Sequence, residues 1–132
     1  MLNSCLQTIL NKNIQFYLVL DSPLNKDNLK ILNKKIKVLT NKEVSDIFIN
    51  DRDIAISFLY NRIIPKKTID KFHANIFNIH PSFLPYNRGS NPYTWTILNE
   101  TIHGVTIHYL DEKLDHGPII FQKKIKINGN KM

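Results

Sequence analysis

One apolar run, DIAISFLY at residues 53–60, constrains the fold of this chain more than any other segment. A strand that faces solvent on one side alternates apolar and polar residues. This run is apolar almost throughout, as expected for a strand that is covered on both faces of a parallel sheet. Further strands are predicted at residues 14–20, 36–39, 76–79, 104–112 and 117–127.

Segments with helical spacing or helix-initiating residues lie between these strands. Pro65 and Pro92 are predicted at the first helical position, which tolerates proline, with Asn91 as an N-cap. Phe48 is predicted on the apolar face of an earlier helix. The alternation of strands and helices predicts an α/β fold with a doubly wound, mostly parallel sheet. Helices are predicted at residues 3–12, 26–34, 40–48, 65–73 and 91–100.

The size of the chain predicts a single domain, because 132 residues fall within the usual range for one hydrophobic core. No apolar run reaches the ~20 residues that a membrane-spanning helix requires. The first residues lack a basic stretch followed by a long apolar one, so we expect a cytoplasmic protein without a signal peptide. Cys5 is the only cysteine and cannot form a disulfide within the chain.

The formal net charge of +7 raises the alternative of a nucleic-acid partner. Arginine occurs only at Arg52, Arg62 and Arg88, while the lysines are spread along the chain. In the densest cluster, residues 30–37, lysines are interleaved with apolar residues, which is typical of a solvated face of a helix or strand. Nucleic acid is therefore the less favoured partner, and a phosphorylated small molecule fits the same charge.

The predicted strand at residues 76–79 is followed by polar residues that suit acyl transfer. In an extended segment, Asn78 and His80 point the same way, and Pro81 biases His80 towards an extended backbone. An amide and an imidazole side by side can polarise a carbonyl group and stabilise an oxyanion. Asp115 lies 35 positions beyond His80 in a Gly-Pro loop, and a carboxylate beside a histidine would orient its ring.

Two longer motifs, NIHPSFLPYNRG and GVTIHYLDEKLDHGPIIFQ, make the chain similar to a known family. They resemble the catalytic domain of formyltransferases that use 10-formyltetrahydrofolate, and the resemblance covers residues 53–125. It implies a Rossmann-like formyltransferase fold, apparently shortened at the N-terminus. Residues 1–132 would form one catalytic domain, for which truncation at both ends is an open alternative.

The resemblance also implies roles for individual residues. Asn78 and His80 would stabilise the tetrahedral intermediate, and Asp115 would hold His80 and help to carry the proton of the amine. Thr106 and His108 would lie behind these three side chains. No metal is expected, because the remaining histidines do not form a coherent ligand set. The donor 10-formyltetrahydrofolate would bind Leu59, Tyr60, Asn61, Arg62, Ile63, Ile64, Leu110 and Asp111.

The acceptor is expected to be a primary amine, and the segment PYNRGSNPYTW favours a nucleotide-linked amino sugar. Arg88 would contact a phosphate or shape its loop. Tyr86 and Trp95 would line the acceptor pocket, although packing in the core is an alternative for both. The residues assigned to the acceptor are Ser82, Tyr86, Arg88, Gly89 and Trp95.

Other functions remain open from the sequence. The acceptor could instead be glycinamide ribonucleotide or methionyl-tRNA, as in two other branches of the family that the motifs resemble. A non-catalytic module that binds folate or a sugar nucleotide is a further alternative, because the chain lacks a visible first strand and turn of the family. A homodimer is one way in which so short a sheet would be stabilised.

Overall fold

The computed structural model describes residues 14–20, 36–40 and 48–126. In these ranges the helices are α1 (Lys66–Lys71) and α2 (Pro92–Leu98). The strands are β1 (Phe16–Val19), β2 (Ile36–Leu39), β3 (Ile54–Phe58), β4 (Ile76–His80), β5 (Gly104–Tyr109) and β6 (Ile119–Lys124). They form a single sheet in the order β2-β1-β3-β4-β5-β6.

The sheet is parallel through its first four strands and antiparallel at one edge. β1 pairs in parallel with β2 and β3, and β3 pairs in parallel with β4. β5 runs antiparallel to β4, and β6 runs antiparallel to β5. The predicted mostly parallel α/β sheet is confirmed. None of the helices in the described ranges is long and apolar enough to cross a membrane.

The hydrophobic core lies between α1 and one face of the parallel strands. Ile69 and Phe72, three positions apart at the end of α1, point to the same side and are buried against the sheet. The Phe72 ring packs edge-on against Tyr17 at a centroid distance of 5.8 Å. The same cluster includes Val19, Leu39, Ala55, Ile64 and Ile76.

A buried carboxylate fixes the start of β3. Asp53 accepts hydrogen bonds from the backbone N–H groups of Gln15 and Asn50, at 3.1 Å and 3.0 Å. The Tyr17 hydroxyl donates to the same carboxylate at 3.4 Å. Burial raises the pKa of Tyr17, and the negative charge of Asp53 raises it further. Asp53 therefore joins β1 to the turn that precedes β3.

Two details of the predicted helices and strands are wrong, whereas the predicted start of α2 is confirmed. β3 is buried on one face only, since Ala55 and Ser57 are buried while the alternate residues are partly exposed. Burial in a strand depends on what packs on each face, and α1 covers the face that carries Ala55. Phe48 is 83% exposed and lies outside any described helix. Asn91 does occupy the predicted N-cap position and Pro92 is the first residue of α2, although Asn91 has a left-handed backbone (φ 55°) and makes no side-chain capping hydrogen bond.

The other predicted segments agree to within a few residues or lie outside the described ranges. α1 begins one residue after Pro65, which occupies the cap position instead of the first helical position. The predicted helices at residues 3–12 and 26–34, residues 41–47 of the predicted helix at 40–48, and Cys5 are outside the described residues.

Candidate active site

The site begins with polar side chains on one face of β4 and β5. Asn78 and His80 are two positions apart on β4, so both point to the same side of the sheet. On β5, His108 lies opposite Asn78 and Thr106 lies opposite His80. Directly opposite residues of antiparallel strands share a face. The pairing of β4 with β5 therefore places these four side chains together.

Asp115 reaches this cluster from the loop that follows β5, and it is only 7% exposed. Its Oδ1 atom accepts a hydrogen bond from Asn78 Nδ2 at 3.0 Å, and its Oδ2 atom accepts one from the Gly89 N–H at 2.8 Å. His80 Nδ1 lies 3.4 Å from Oδ2, and His108 Nε2 lies 3.6 Å from Oδ1. The carboxylate thus touches the amide and both imidazoles.

The surroundings of Asp115 hold it in its charged form. Burial by itself would raise the pKa of this carboxyl group. The His108 imidazole in its protonated form, the Gly89 N–H and the positive charge of protonated His80 outweigh burial, and the pKa of Asp115 lies below its ordinary value of 3.8. Asp115 is therefore a carboxylate at neutral pH, able to accept a proton only in passing.

The two imidazoles have their protons on different nitrogens, as assigned from their hydrogen-bond partners. His80 Nε2 lies 2.9 Å from the backbone oxygen of Asn87, which can only accept, so Nε2 carries a proton. His108 Nδ1 lies 2.8 Å from the backbone oxygen of Tyr109, so its proton is on Nδ1. This leaves His108 Nε2 to accept from Asn78 Nδ2 at 3.2 Å.

The loop after β4 is fastened by buried hydroxyl groups. Ser82 donates to the backbone oxygen of Tyr86 at 2.8 Å, and Thr106 donates to the backbone oxygen of Ser82 at 2.7 Å. Leu84 N–H and Gln122 Nε2 donate to the Thr106 hydroxyl. Ser82, which was predicted to contact the acceptor, is fully buried, and its hydroxyl donates within the loop.

A cavity that is partly open to solvent lies beside Asn78 and Asp115. Its walls come from two segments, the one after β3 and the loop after β5. Ser57, at the end of the buried face of β3, completes the lining. The remaining lining residues are Tyr60, Arg62, Ile63, Ile64, Leu110, Asp111, Glu112, Lys113 and Leu114.

The lining includes most, but not all, of the residues predicted to hold the donor. Leu59 and Asn61 do not line the cavity. Leu59 has a left-handed backbone (φ 49°), and both side chains are exposed. Glu112, Lys113 and Leu114 line it although the sequence did not single them out individually. The predicted loop of residues 110–115 as a whole is part of the wall.

The loop after β5 has its own internal bonds. Asp111 accepts a hydrogen bond from His116 Nδ1 at 2.8 Å and another from the Lys113 N–H at 2.8 Å. These bonds outweigh burial and lower the pKa of Asp111. A Cβ atom on Gly117 would lie 1.9 Å from the backbone oxygen of Tyr109, so the turn requires glycine. The loop therefore has a defined shape over the cavity.

The residues predicted to contact the acceptor lie between β4 and the end of α2. Tyr86 and Arg88 are exposed, and Trp95 is 49% exposed, so none of the three is packed in the core. They do not line the cavity beside Asp115. Gly89 contributes its N–H to Asp115. Within the described ranges, no group of three or more His, Cys, Asp or Glu side chains is arranged to hold a metal ion.

A family model described as Formyl transferase matches residues 26–131 of the chain. The methionyl-tRNA formyltransferase of Thermodesulfovibrio yellowstonii is 43% identical over 77 residues, 58% of this chain and 25% of that protein. The dTDP-4-amino-4,6-dideoxyglucose formyltransferase of Mycobacterium bovis is 43% identical over 77 residues, 58% of this chain and 32% of that protein. The chain thus spans a quarter to a third of the length of these relatives.

Solved structures of similar fold include the formyltransferase PseJ from Anoxybacillus kamchatkensis in complex with UDP-4,6-dideoxy-4-formamido-L-AltNAc and tetrahydrofolate. Its TM-score is 0.68 at 32% identity, over 85% of this chain and 61% of that chain. A phosphoribosylglycinamide formyltransferase from Bacillus halodurans has a TM-score of 0.68 at 25% identity, over 98% of this chain and 74% of that chain.

Proposed function

Because the chain belongs to the formyl transferase family, we propose that it transfers a formyl group from 10-formyltetrahydrofolate to a primary amine. One observation carries the proposal. Asp115 contacts both Asn78 and His80, and Asn78 and Asp115 also line the cavity. A formyl group presented from that cavity would lie next to an amide, an imidazole and a carboxylate.

The cavity suits the reduced pterin ring of the donor. Ile63, Ile64 and Leu110 offer apolar contacts, while Asp111 and the backbone of the surrounding segments offer hydrogen-bonding groups. A flat heterocyclic ring would match these two kinds of contact, because its faces are apolar and its edge carries polar groups. PseJ, which has a similar fold, was solved with tetrahydrofolate bound. These features support 10-formyltetrahydrofolate as the donor.

In the proposed reaction the amine nitrogen attacks the formyl carbon and forms a tetrahedral intermediate. Its oxyanion would accept hydrogen bonds from Asn78 Nδ2 and from His80 Nδ1 in the protonated imidazole. The Asn78 Nδ2 group already donates hydrogen bonds to Asp115 and to His108. The oxyanion would take the place of His108 as the acceptor of the longer bond, which measures 3.2 Å.

The proton balance involves Asp115. The amine nitrogen loses one proton after attack, and N10 of the folate gains one as the carbon–nitrogen bond to it breaks. Asp115 is placed to pass this proton, directly or through water. Its low pKa keeps it deprotonated at neutral pH, so it would hold the proton only transiently. The products are a formamide and tetrahydrofolate, and the positioning of the two substrates would provide much of the acceleration.

We further propose a nucleotide-linked amino sugar as the acceptor. The relatives include a dTDP-4-amino-4,6-dideoxyglucose formyltransferase, and PseJ was solved with a UDP-linked formamido sugar. Arg88 is exposed near the site and would suit a phosphate, while Tyr86 and Trp95 offer exposed rings to a base or a sugar. Methionyl-tRNA and phosphoribosylglycinamide enzymes are also among the similar proteins.

The test is release of tetrahydrofolate from 10-formyltetrahydrofolate in the presence of candidate acceptors. The panel would contain UDP- and dTDP-linked amino sugars, phosphoribosylglycinamide and methionyl-tRNA. We expect release with at least one amino sugar nucleotide and micromolar binding of tetrahydrofolate by calorimetry. No release with any acceptor, together with no folate binding, would overturn the proposal. Release with only one of the other two acceptors would reassign the acceptor and retain formyl transfer.

A further inference from the structure

Asn87 connects the proposed catalytic histidine to helix α2. Its backbone oxygen accepts the hydrogen bond from His80 Nε2 at 2.9 Å. Its side-chain Nδ2 donates to the hydroxyl groups of Thr96 and Thr101, at 2.8 Å and 2.6 Å. Both hydrogens of the Asn87 amide are therefore used. The backbone that orients the His80 ring is held in place by side-chain bonds to α2 and to the segment after it.

The identity of residue 87 fits this task in two ways. Asn87 has a left-handed backbone with φ 55°, a conformation that asparagine tolerates better than most residues. Its amide offers two donors, which glycine lacks and aspartate would replace with acceptors. Thr96 is buried, and its own hydroxyl donates to the backbone oxygen of Pro92 at 2.7 Å. The chain of bonds from His80 thus ends in the first turn of α2.

We propose that Asn87 is a positioning residue that sets the tautomer and the orientation of His80. The inference rests on the proposed role of His80 in formyl transfer. Because the His80 Nε2–H group donates a hydrogen bond to the Asn87 backbone oxygen, the ring turns Nδ1 towards Asp115 Oδ2, 3.4 Å away. In the protonated imidazole, Nδ1 is then the nitrogen that lies beside the reacting formyl group and donates to its oxyanion. If the Asn87 oxygen moved away, the neutral ring would carry its proton on Nδ1, where it could donate to Asp115. Nε2 would then have no proton.

The first test is NMR of protein labelled with ¹⁵N in its histidine rings, with the His80 signals assigned by loss in His80→Gln. In the unmodified protein, at a pH where the ring is neutral, we expect the proton on Nε2. In Asn87→Ala, we expect a substantial fraction with the proton on Nδ1. The same tautomer in both proteins would overturn the inference. This measurement needs no substrate, so it stands even if formyl transfer fails its own test.

The second test is kinetic, with an acceptor identified as above. In Asn87→Ala we expect kcat to fall by about 10- to 100-fold, as for other partners that orient a functional histidine. The KM for 10-formyltetrahydrofolate should stay within about threefold, because Asn87 does not line the cavity. An unchanged kcat, or a loss confined to KM, would count against the inference.

Asn91→Ala is the matched control. Asn91 has the same φ of 55° but makes no capping hydrogen bond through its side chain. It therefore reports the cost of alanine in a left-handed backbone without the loss of a capping bond, and it should keep the wild-type tautomer of His80. If Asn87→Ala fails to fold, Thr101→Val removes one of the two anchors with little change of shape. It should shift the tautomer in the same direction, and no shift would contradict the inference.

Discussion

Replacing Asp115 by asparagine perturbs the site at the group with the most contacts. The carboxylate accepts from Asn78 Nδ2 at 3.0 Å through one oxygen and from the Gly89 N–H at 2.8 Å through the other. An asparagine has one acceptor and one donor at these two places. Whichever way its amide turns, its NH₂ group faces either Asn78 Nδ2 or the Gly89 N–H. One buried donor is therefore left without an acceptor.

The magnitude follows from that unpaired donor. A buried donor without an acceptor costs ~1–3 kcal/mol. Removing the carboxylate also removes its own cost of burial, so we expect the lower part of this range, about 1–2 kcal/mol. For a domain of this size, 1 kcal/mol corresponds to a Tm change of roughly 4 °C. Asp115→Asn should therefore lower Tm by about 4–8 °C at neutral pH.

The pH dependence gives this prediction a second, independent part. Because the folded state lowers the pKa of Asp115 below 3.8, its charged form stabilises the fold above that pH. The stabilisation is lost as the pH falls through the lower pKa of the folded state. The stability gap between the native protein and Asp115→Asn should therefore narrow below about pH 4. Asp111, whose pKa is also lowered, titrates in both proteins, so its contribution to the pH dependence cancels in the stability difference between them.

The assay is urea denaturation of both proteins from pH 7 to pH 3. Asp70→Asn is the control, since Asp70 is an exposed carboxylate that pairs with Lys66 in the adjacent turn, and it should change stability by less than about 0.5 kcal/mol. The reasoning is refuted if Asp115→Asn is as stable as the native protein at pH 7. It is also refuted if the gap stays constant across the whole pH range.

Three further substitutions test other parts of the structure, the first two by urea denaturation and the third by ultraviolet titration. Gly117→Ala should cost several kcal/mol and weaken tetrahydrofolate binding, because its Cβ would collide with the Tyr109 backbone oxygen; unchanged stability and affinity would contradict the loop shape. Thr106→Val should cost about 2–4 kcal/mol, because its buried hydroxyl serves two donors and one acceptor; a cost below about 0.5 kcal/mol would show that the loop after β4 does not depend on it. Asp53→Asn should lower the pKa of Tyr17, measured by ultraviolet titration, because the negative charge beside the phenol is lost; an unchanged pKa would show that burial alone raises it.

The sequence predicted the sheet and the common face of Asn78 and His80, because both depend on short-range periodicity. Alternating side chains of a strand point to opposite faces, and Pro81 keeps His80 extended. Asp115 was different, because its spacing from His80 has no meaning by itself. Its place next to His80 depends on the pairing of β5 with β4 and on a left-handed turn at Asp115 itself (φ 46°).

Loop residues were harder to predict than strand residues. Ser82 was expected to contact the acceptor, and it instead closes a turn with the backbone oxygen of Tyr86. Asn87 was not singled out, although its backbone oxygen orients His80. A serine or asparagine in a loop bonds to whichever backbone groups the loop brings near, and these are set by the fold around it. The pair of threonines at positions 96 and 101 has no sequence signature that points to Asn87.

Burial was predicted less well than secondary structure. The apolar run of β3 suggested a strand covered on both faces, but Ile54 and Ile56 are only partly buried. Phe48 was expected on an apolar helix face and is largely exposed. Hydrophobicity shows which residues gain from burial, whereas the packing of other segments decides which of them are covered.

The central claim is that Asn78, His80 and Asp115 perform formyl transfer beside the cavity. Its most direct test is the turnover of His80→Ala with saturating 10-formyltetrahydrofolate and the acceptor that the native protein formylates. The account predicts a fall of about 10²-fold or more, with the affinity for tetrahydrofolate within a few-fold of native. His73→Ala, at an exposed histidine beyond α1, should leave turnover unchanged. Turnover of His80→Ala close to the native value would contradict the account.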